Sequence, residues 1–396
     1  MAIVSATEDA TTYDVRQIRR AFPGLRPDLA RFDGPGGSLV PEVVADAVAG
    51  ALRAGLCQRG GPSAPGLLTD EITVEARAAM ARFVGLGDPR GIVFGRSMTA
   101  LTFDMARTLS ADWGAGDEVV VSRLDHDANI RPWVSAAERA GATVRWLEFD
   151  PVTAELDDVG PLLSDRTRVV ALTAASNLFG TRPDVAAVSR AARQVGALVY
   201  VDAVHLAAHA PLDISALGAD VLACSPYKFF GPHLGVLAAD PALLERLHPD
   251  KLLPSSDAVP ERFELGTLPF ELLAGVTAAV EFAEQCDMAA VEAHEQGLLT
   301  RLLEGLAALP EVTVHGRPRR RTPTVLITVE GLTPLELSHR LHEAGVVAPP
   351  GSFYALEAAR HSAAGEQGGV RVGISAYTNE EEIDRLLTAL ANVVST

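Results

Sequence analysis

Lys228 stands in the stretch CSPYKFFGP, directly after the apolar run 220–223 and before a Gly-Pro turn. A lysine in that setting is stripped of water, which disfavours its ammonium form. The neutral amine that results is the nucleophile needed to capture a carbonyl carbon. Taken by itself, a lysine at such a point can equally snorkel to the surface. Asp202 closes another apolar run, 197–201, and is followed by His205. A carboxylate there can keep a facing pyridine-type nitrogen protonated, although an Asp at a strand end is also a common helix cap. His126, in DHDAN, follows the run 118–121 and offers an imidazole that can stack on a flat ring or serve as a structural hydrogen bonder.

These residues need a scaffold that brings distant segments to one edge. Between about 85 and 240, short β-branched runs alternate with longer amphipathic segments. The expected strands are 91–94, 118–121, 143–149, 168–173, 197–202 and 221–225, with helices between them. Such alternation predicts an α/β fold with a mainly parallel sheet and helices on both faces. Ligands then bind at the carboxyl ends of the strands, where the loops LDHDAN, ASNLFGT, DAVH and SPYK carry polar side chains. After about 270 the pattern turns to long Ala/Leu/Glu helices, with strands expected at 324–329 and 370–374 and a last helix from Glu380. The expected division is an arm over 1–41 that packs at the domain junction and contains no clear strand, a large domain over 42–270 and a smaller α+β domain over 271–396.

Composition narrows the functional classes. With 48% hydrophobic and 21% charged residues the 396-residue chain is globular rather than disordered. A net charge of −17 disfavours nucleic acid and anionic membranes as partners. Arg317–Arg321, the densest basic run, reads as a solvated loop. No apolar stretch reaches the roughly 18 residues of a membrane helix. The opening MAIVSATEDATTYDV has no basic or apolar leader regions, so a cytoplasmic location is expected. The three cysteines, Cys57, Cys224 and Cys286, have no metal-ligand spacing and read first as small core residues, and no metal is expected.

Eight stretches taken together resemble the class V branch of fold-type I pyridoxal-phosphate enzymes, within it the cysteine desulfurase and selenocysteine lyase-like group. They are FDGPGG (32–37), FGRSMTALTF (94–103), DHDANIRPW (125–133), ASNLFGT (175–181), VDAVHLAAH (201–209), CSPYKFFGPHLGVL (224–237), FELGTLPFELLAG (263–275) and RVGISAYTNEEEIDRLL (371–387), and they follow the family's order over most of the chain. The resemblance implies a fold-type I transferase with a large domain built on a mainly parallel, seven-stranded-type sheet, and pyridoxal 5'-phosphate as cofactor. It implies that Lys228 attaches the cofactor, Asp202 pairs with the pyridine nitrogen, His126 stacks on the ring, and Asn177 and His205 lie near the phenolic oxygen. Ser97, Met98 and Thr99 would hold the phosphate at a helix N-terminus, joined by Ser225. Thr267 would reach the phosphate of a neighbouring subunit, implying a homodimer with shared sites. Arg371 would hold the α-carboxylate of an amino-acid substrate, with Arg59 and Asn129 as further substrate contacts.

Two departures shape the expected activity. Relatives that pass sulfur through a persulfide carry a cysteine on a loop shortly before the carboxylate-binding arginine, whereas the corresponding stretch here, GVVAPPGSFYALEAAR, has none. Tyr227 stands beside the lysine where many relatives have His, and its phenol can act as acid, base or ring neighbour. The expected function is a lyase that cleaves the Cβ–S bond of cysteine or an S-substituted cysteine without a protein persulfide. The alternative is decarboxylation, with or without oxidative deamination, or transamination or epimerisation of a related amino acid in a natural-product pathway. A nicotinamide dehydrogenase fits the alternation but lacks a strand-anchored GxGxxG, because no strand precedes Gly34–Gly37. A non-catalytic scaffold would not need both Lys228 and Asp202.

Overall fold

Runs of valine and alanine without polar alternation form strands buried on both faces, as parallel sheets require. In the computed structural model, which describes residues 13–395, six such runs and one half-exposed edge strand make the seven-stranded central sheet. In chain order they are β1 (Ile92–Gly95), β2 (Glu118–Ser122), β3 (Thr143–Leu147), β4 (Thr167–Thr173), β5 (Leu198–Asp202), β6 (Val221–Cys224) and β7 (Gly235–Ala239). Their order across the sheet is β1-β7-β6-β5-β4-β2-β3, and β7 alone runs against the rest. The sequence reading misses β7: a run bounded by Gly235 and Asp240 at the end of the Lys228 loop carries no sign of its direction.

Strand periodicity sends alternate side chains to two cores. Val120, Val170, Leu172, Val199, Val201 and Leu222 pack with Ile72, Ala76 and Met80 of helix Ala64–Phe83 and with Leu273 and Val276 of helix Phe270–Cys286. Val119, Val121, Val169, Ala171 and Tyr200 pack on the other face with Leu101 and Met105 of helix Met98–Leu109 and Trp133 of helix Arg131–Ala140. Each such aliphatic side chain contributes about 1.5–3 kcal/mol on leaving water. Helix Phe270–Cys286 starts at the expected domain boundary yet packs on the helices of the large sheet.

A third core belongs to a four-stranded antiparallel sheet ordered Pro350–Gly351, Gly369–Gly373, Thr324–Val329, Val312–His315. Helices Met288–Ala307, Pro334–Glu343 and Glu380–Val394 cover it. The last begins with a reciprocal capping box between Asn379 and Glu382, which fixes its start at the Glu380 read from sequence.

Three expectations are corrected. The N-terminal arm contains a strand after all: Ala30–Arg31 pairs in parallel with Val346–Val347, too short to show as periodicity. The first residues of that arm, 1–12, lie outside the described residues. The basic run is not wholly solvated. Arg321 turns inward and donates to the carbonyls of Phe179 (2.8 Å) and Thr324 (2.6 Å), tying the two sheets' loops together. Cys57 is exposed, whereas Cys224 and Cys286 are buried as core residues. Among the described residues no helix is long and apolar enough to cross a membrane.

Candidate active site

Six of the seven strands end at one edge of the large sheet, and five of them deliver a loop to the same place. A cavity of about 710 Å³ opens there, walled by Ser97, Met98 and Thr99 after β1, His126 after β2, Asn177 after β4, Asp202 and His205 at the end of β5, and Ser225, Tyr227 and Lys228 after β6. Arg371, on strand Gly369–Gly373 of the smaller sheet, closes the far wall. The loops after β1, β2, β4, β5 and β6 meet because parallel crossovers return these strands to the same edge, and the smaller sheet brings Arg371 to them.

Lys228 donates from Nζ to the carbonyl oxygen of Pro35 (2.5 Å) and lies 4.8 Å above the Tyr227 ring. Burial, with the Arg371 charge nearby, lowers its pKa to about 7, and Asp202 opposes that shift. The amine is thus available in neutral form near physiological pH. Asp202 accepts from the Val204 backbone N–H (2.9 Å), and burial raises its pKa to about 6. His126 accepts the Ala128 backbone N–H at Nδ1 (3.0 Å), so that nitrogen carries no proton. Burial and the charges of Lys228 and Arg371 push its pKa down to about 4, which leaves a neutral, flat imidazole.

Asn177 donates to the Phe353 carbonyl (2.9 Å), and its buried Oδ1 has no protein partner. Arg371 is 3% exposed, donates to the Asn177 carbonyl (2.9 Å) and stacks 3.8 Å from the Phe353 ring centre, while its Nε is left unpartnered. Burial lowers its pKa to about 9. An arginine buried to this degree with a free donor is built to receive an anion, because an unpaired buried polar group costs about 1–3 kcal/mol. His205 is held at Nε2 by the hydroxyls of Thr322 (3.0 Å) and Thr324 (3.1 Å).

The phosphate end is shaped by close backbone approach. Ser97 caps helix Met98–Leu109, its Oγ accepting from Ala100 N–H (3.1 Å), and β7 passes so near that a Cβ at Gly235 would lie 2.2 Å from the Ser97 carbonyl carbon. Only glycine lets the strand support that helix N-terminus, whose free N–H groups and positive dipole end suit a phosphate.

Three expected contacts are not in the cavity of the subunit. Asn129 is fully buried, donating to Asp125 (2.6 Å) and accepting from Trp133 (3.2 Å), so its side chain locks the loop and cannot touch substrate. Arg59 pairs with Asp70 (3.0 Å) and Glu261 (3.5 Å) outside it. Thr267 lies beside Gln58, also outside, at a 3.5 Å contact. Conversely, the sequence reading overlooked Asp125, Arg131, Phe103, Phe353 and Tyr354. Asp125 is fully buried, and burial together with Asp202 raises its pKa far above the usual carboxylate range. Its signal was present: it precedes His126 at a strand end.

The residues present fit pyridoxal phosphate: a dehydrated lysine, a buried carboxylate, a neutral imidazole face, an orphaned amide oxygen, an orphaned arginine nitrogen and a helix N-terminus around one cavity. The family described as aminotransferase class-V matches residues 31–386. The chain is 33% identical to an uncharacterised protein of Mycobacterium tuberculosis over 96% of this chain and 99% of the other. It is 30% identical to a cysteine desulfurase of Klebsiella pneumoniae over 96% and 98%. The apo structure of a cysteine desulfurase from Thermococcus onnurineus superposes with a TM-score of 0.90 at 25% identity, covering 96% of this chain and 98% of that one. With the family model spanning residues 31–386 and relatives matching over nearly the whole length, the chain belongs to the class-V aminotransferase family of pyridoxal-phosphate-dependent enzymes.

Proposed function

We propose that the protein is a Cβ–S lyase of cysteine or an S-substituted cysteine that works without a protein persulfide, as a cytoplasmic homodimer. One observation carries this reading: Lys228, Asp202 and Arg371 line one cavity, and no cysteine lines it among the described residues. Family membership supports C–S lyase chemistry at the level of the family.

Pyridoxal phosphate, when bound, supplies a conjugated ring that delocalises the electron pair left at the substrate α-carbon. Lys228 would hold it, with Asp202 facing the ring nitrogen, His126 against the ring face, Asn177 and His205 near the phenolic oxygen, and Ser97 to Thr99 with Ser225 around the phosphate. Arg371 binds the α-carboxylate and so fixes which bond of the α-carbon faces the ring. Lys228 Nζ, neutral near pH 7, takes the α-proton. Tyr227, whose phenol burial keeps protonated, stands beside it to donate a proton to the departing sulfur. The balanced reaction is RS–CH₂–CH(NH₃⁺)–COO⁻ plus water giving RSH, pyruvate and ammonium. The Cα–H and Cβ–S bonds break and the sulfur leaves with its bonding electrons; the β-carbon then gains a proton, and water replaces nitrogen at the α-carbon, releasing ammonium.

Thr267 and Arg59 are proposed to serve the partner's cavity. Supporting this, Leu253 and Leu265, flanking that surface segment, are exposed apolar side chains. The test is to incubate holoenzyme with cysteine, cystine and S-methylcysteine and identify products by mass spectrometry. Pyruvate and thiol in equal amounts are expected; an aldehyde with carbon dioxide, or amino-group transfer, overturns the reading.

A further inference from the structure

The loop before strand Gly369–Gly373 places two aromatic residues, Phe353 and Tyr354, at the mouth of the cavity. Both have positive φ, +54° and +59°, in the left-handed region that non-glycine residues seldom occupy. Strain of this kind persists only where the surroundings impose it. Here both carbonyls are caught by the cavity wall: Asn177 Nδ2 donates to Phe353 O (2.9 Å) and the Asp127 N–H donates to Tyr354 O (2.7 Å). The following helix, Leu356–His361, is pinned by Glu357, which pairs with Arg123 (2.8 Å) and Arg131.

The two rings then part. Phe353 lies against Arg371, whereas Tyr354 is 76% exposed, with its ring 5.5 Å from that of His126 at 25°. Phe103, 39% exposed, lines the same opening. A held but solvent-exposed aromatic ring has an unused face, and aromatic rings pair best with other flat rings. Charge narrows the ligand further. The cations of the cavity wall are Lys228, Arg371 and Arg131, and Arg131 is already committed to Asp127 (2.8 Å) and Glu357. With Lys228 and Arg371 serving the amino-acid end, an anionic substituent at the mouth would meet no uncommitted cation among the described residues of the subunit, and Arg59, proposed to enter from the neighbouring subunit, is already paired with Asp70 and Glu261.

We propose that Tyr354 is a specificity-determining platform for the sulfur substituent of the substrate, and that this substituent is a flat, uncharged ring. This rests on the lyase reading, which assigns the amino-acid end to Lys228 and Arg371. The ring would enter over Tyr354 beside Phe103 while Arg371 keeps the carboxylate.

The test compares S-benzylcysteine with S-methylcysteine on holoenzyme, measuring both thiol release and equilibrium binding by calorimetry. The wild type is expected to favour the benzyl compound in kcat/KM and in affinity. Tyr354→Ala should shrink that preference about three- to tenfold, as the loss of one aromatic pair implies. Tyr354→Phe should keep it, because stacking needs only the ring. Because the side chain is largely exposed, Tyr354→Ala does not endanger the fold, which the circular dichroism of each variant checks. No benzyl preference in the wild type, or one that Tyr354→Ala leaves intact, overturns the platform even if thiol is released. Binding that depends on Tyr354 without thiol release supports the platform and sinks the lyase reading instead.

Discussion

The amine of Lys228 and the carbonyl oxygen of Pro35 are 2.5 Å apart, so the N-terminal arm closes directly over the lysine at the end of β6. The arm is held there by further bonds: Ser38 N–H donates to the Tyr227 carbonyl (3.0 Å) and Gly373 N–H to the Phe32 carbonyl (2.9 Å). The carbonyl of Pro35 is the acceptor that occupies the lysine until a carbonyl carbon takes its place.

Cofactor capture by the apoenzyme should therefore follow the lysine's lowered pKa. Folding shifts Lys228 from 10.5 to about 7, so the neutral amine predominates above about pH 7 rather than above 10.5. The rate at which apoenzyme gains the visible absorbance of attached pyridoxal phosphate should rise through about pH 7 and level off above it. A rise delayed toward pH 10 would contradict the dehydrated lysine. Lys228→Ala should abolish borohydride trapping of cofactor on that peptide.

Asp202→Asn should cost turnover on the order of 10² to 10³, the usual loss when a preorganised charged partner is removed. Its effect on folding has the opposite sign. Burial raises the carboxyl from 3.8 to about 6, so the folded apoenzyme binds the proton more tightly than the unfolded chain. The stability this group contributes is present below pH 3.8 and lost as pH rises through about 6. At pH 7 the apo variant should melt no lower than wild type. A large fall in Tm with turnover retained would assign Asp202 a structural role.

Gly235→Ala should weaken cofactor binding from a position that never touches the cofactor. The added Cβ would sit 2.2 Å from Ser97 C and 2.4 Å from Met98 N, so the helix N-terminus must retreat. Overpacking of this kind costs about 1–3 kcal/mol. Titration of the apo variant with pyridoxal phosphate should show a raised Kd; an unchanged Kd would mean that the helix N-terminus does not hold the phosphate.

A Cys224→Ala, Cys286→Ala variant should retain turnover. Cys224 is buried in the core and does not line the cavity, and burial drives its thiol pKa up; Cys286 is pushed up to about 12. Neither offers the accessible thiolate that persulfide chemistry needs. Loss of activity, with an enzyme-bound persulfide in the intact mass of the wild type, would restore a thiol mechanism.

Strand alternation, the loops at strand ends and the candidates Lys228, Asp202, His126, Asn177, His205, Ser225 and Arg371 were legible because each rests on short-range pattern or on motif order along the chain. Parallel strands buried on both faces announce themselves as unbroken apolar runs, and polar residues at their ends have one edge to go to. The reversed direction of β7 was not legible, since direction is set by pairing with β1 and β6 rather than by its own residues. Side-chain aim was not legible either. Asn129 lies only three residues from His126, yet it is consumed by Asp125 and Trp133. Arg321, in a run of charge that reads as surface, is turned inward by three backbone carbonyls. Residue types and order thus determined the chemistry available to this protein. Only packing between segments far apart in the chain decided which groups lost their water, which found partners and which, like Tyr354, were left with a free face, because burial and pairing depend on neighbours that local sequence does not contain.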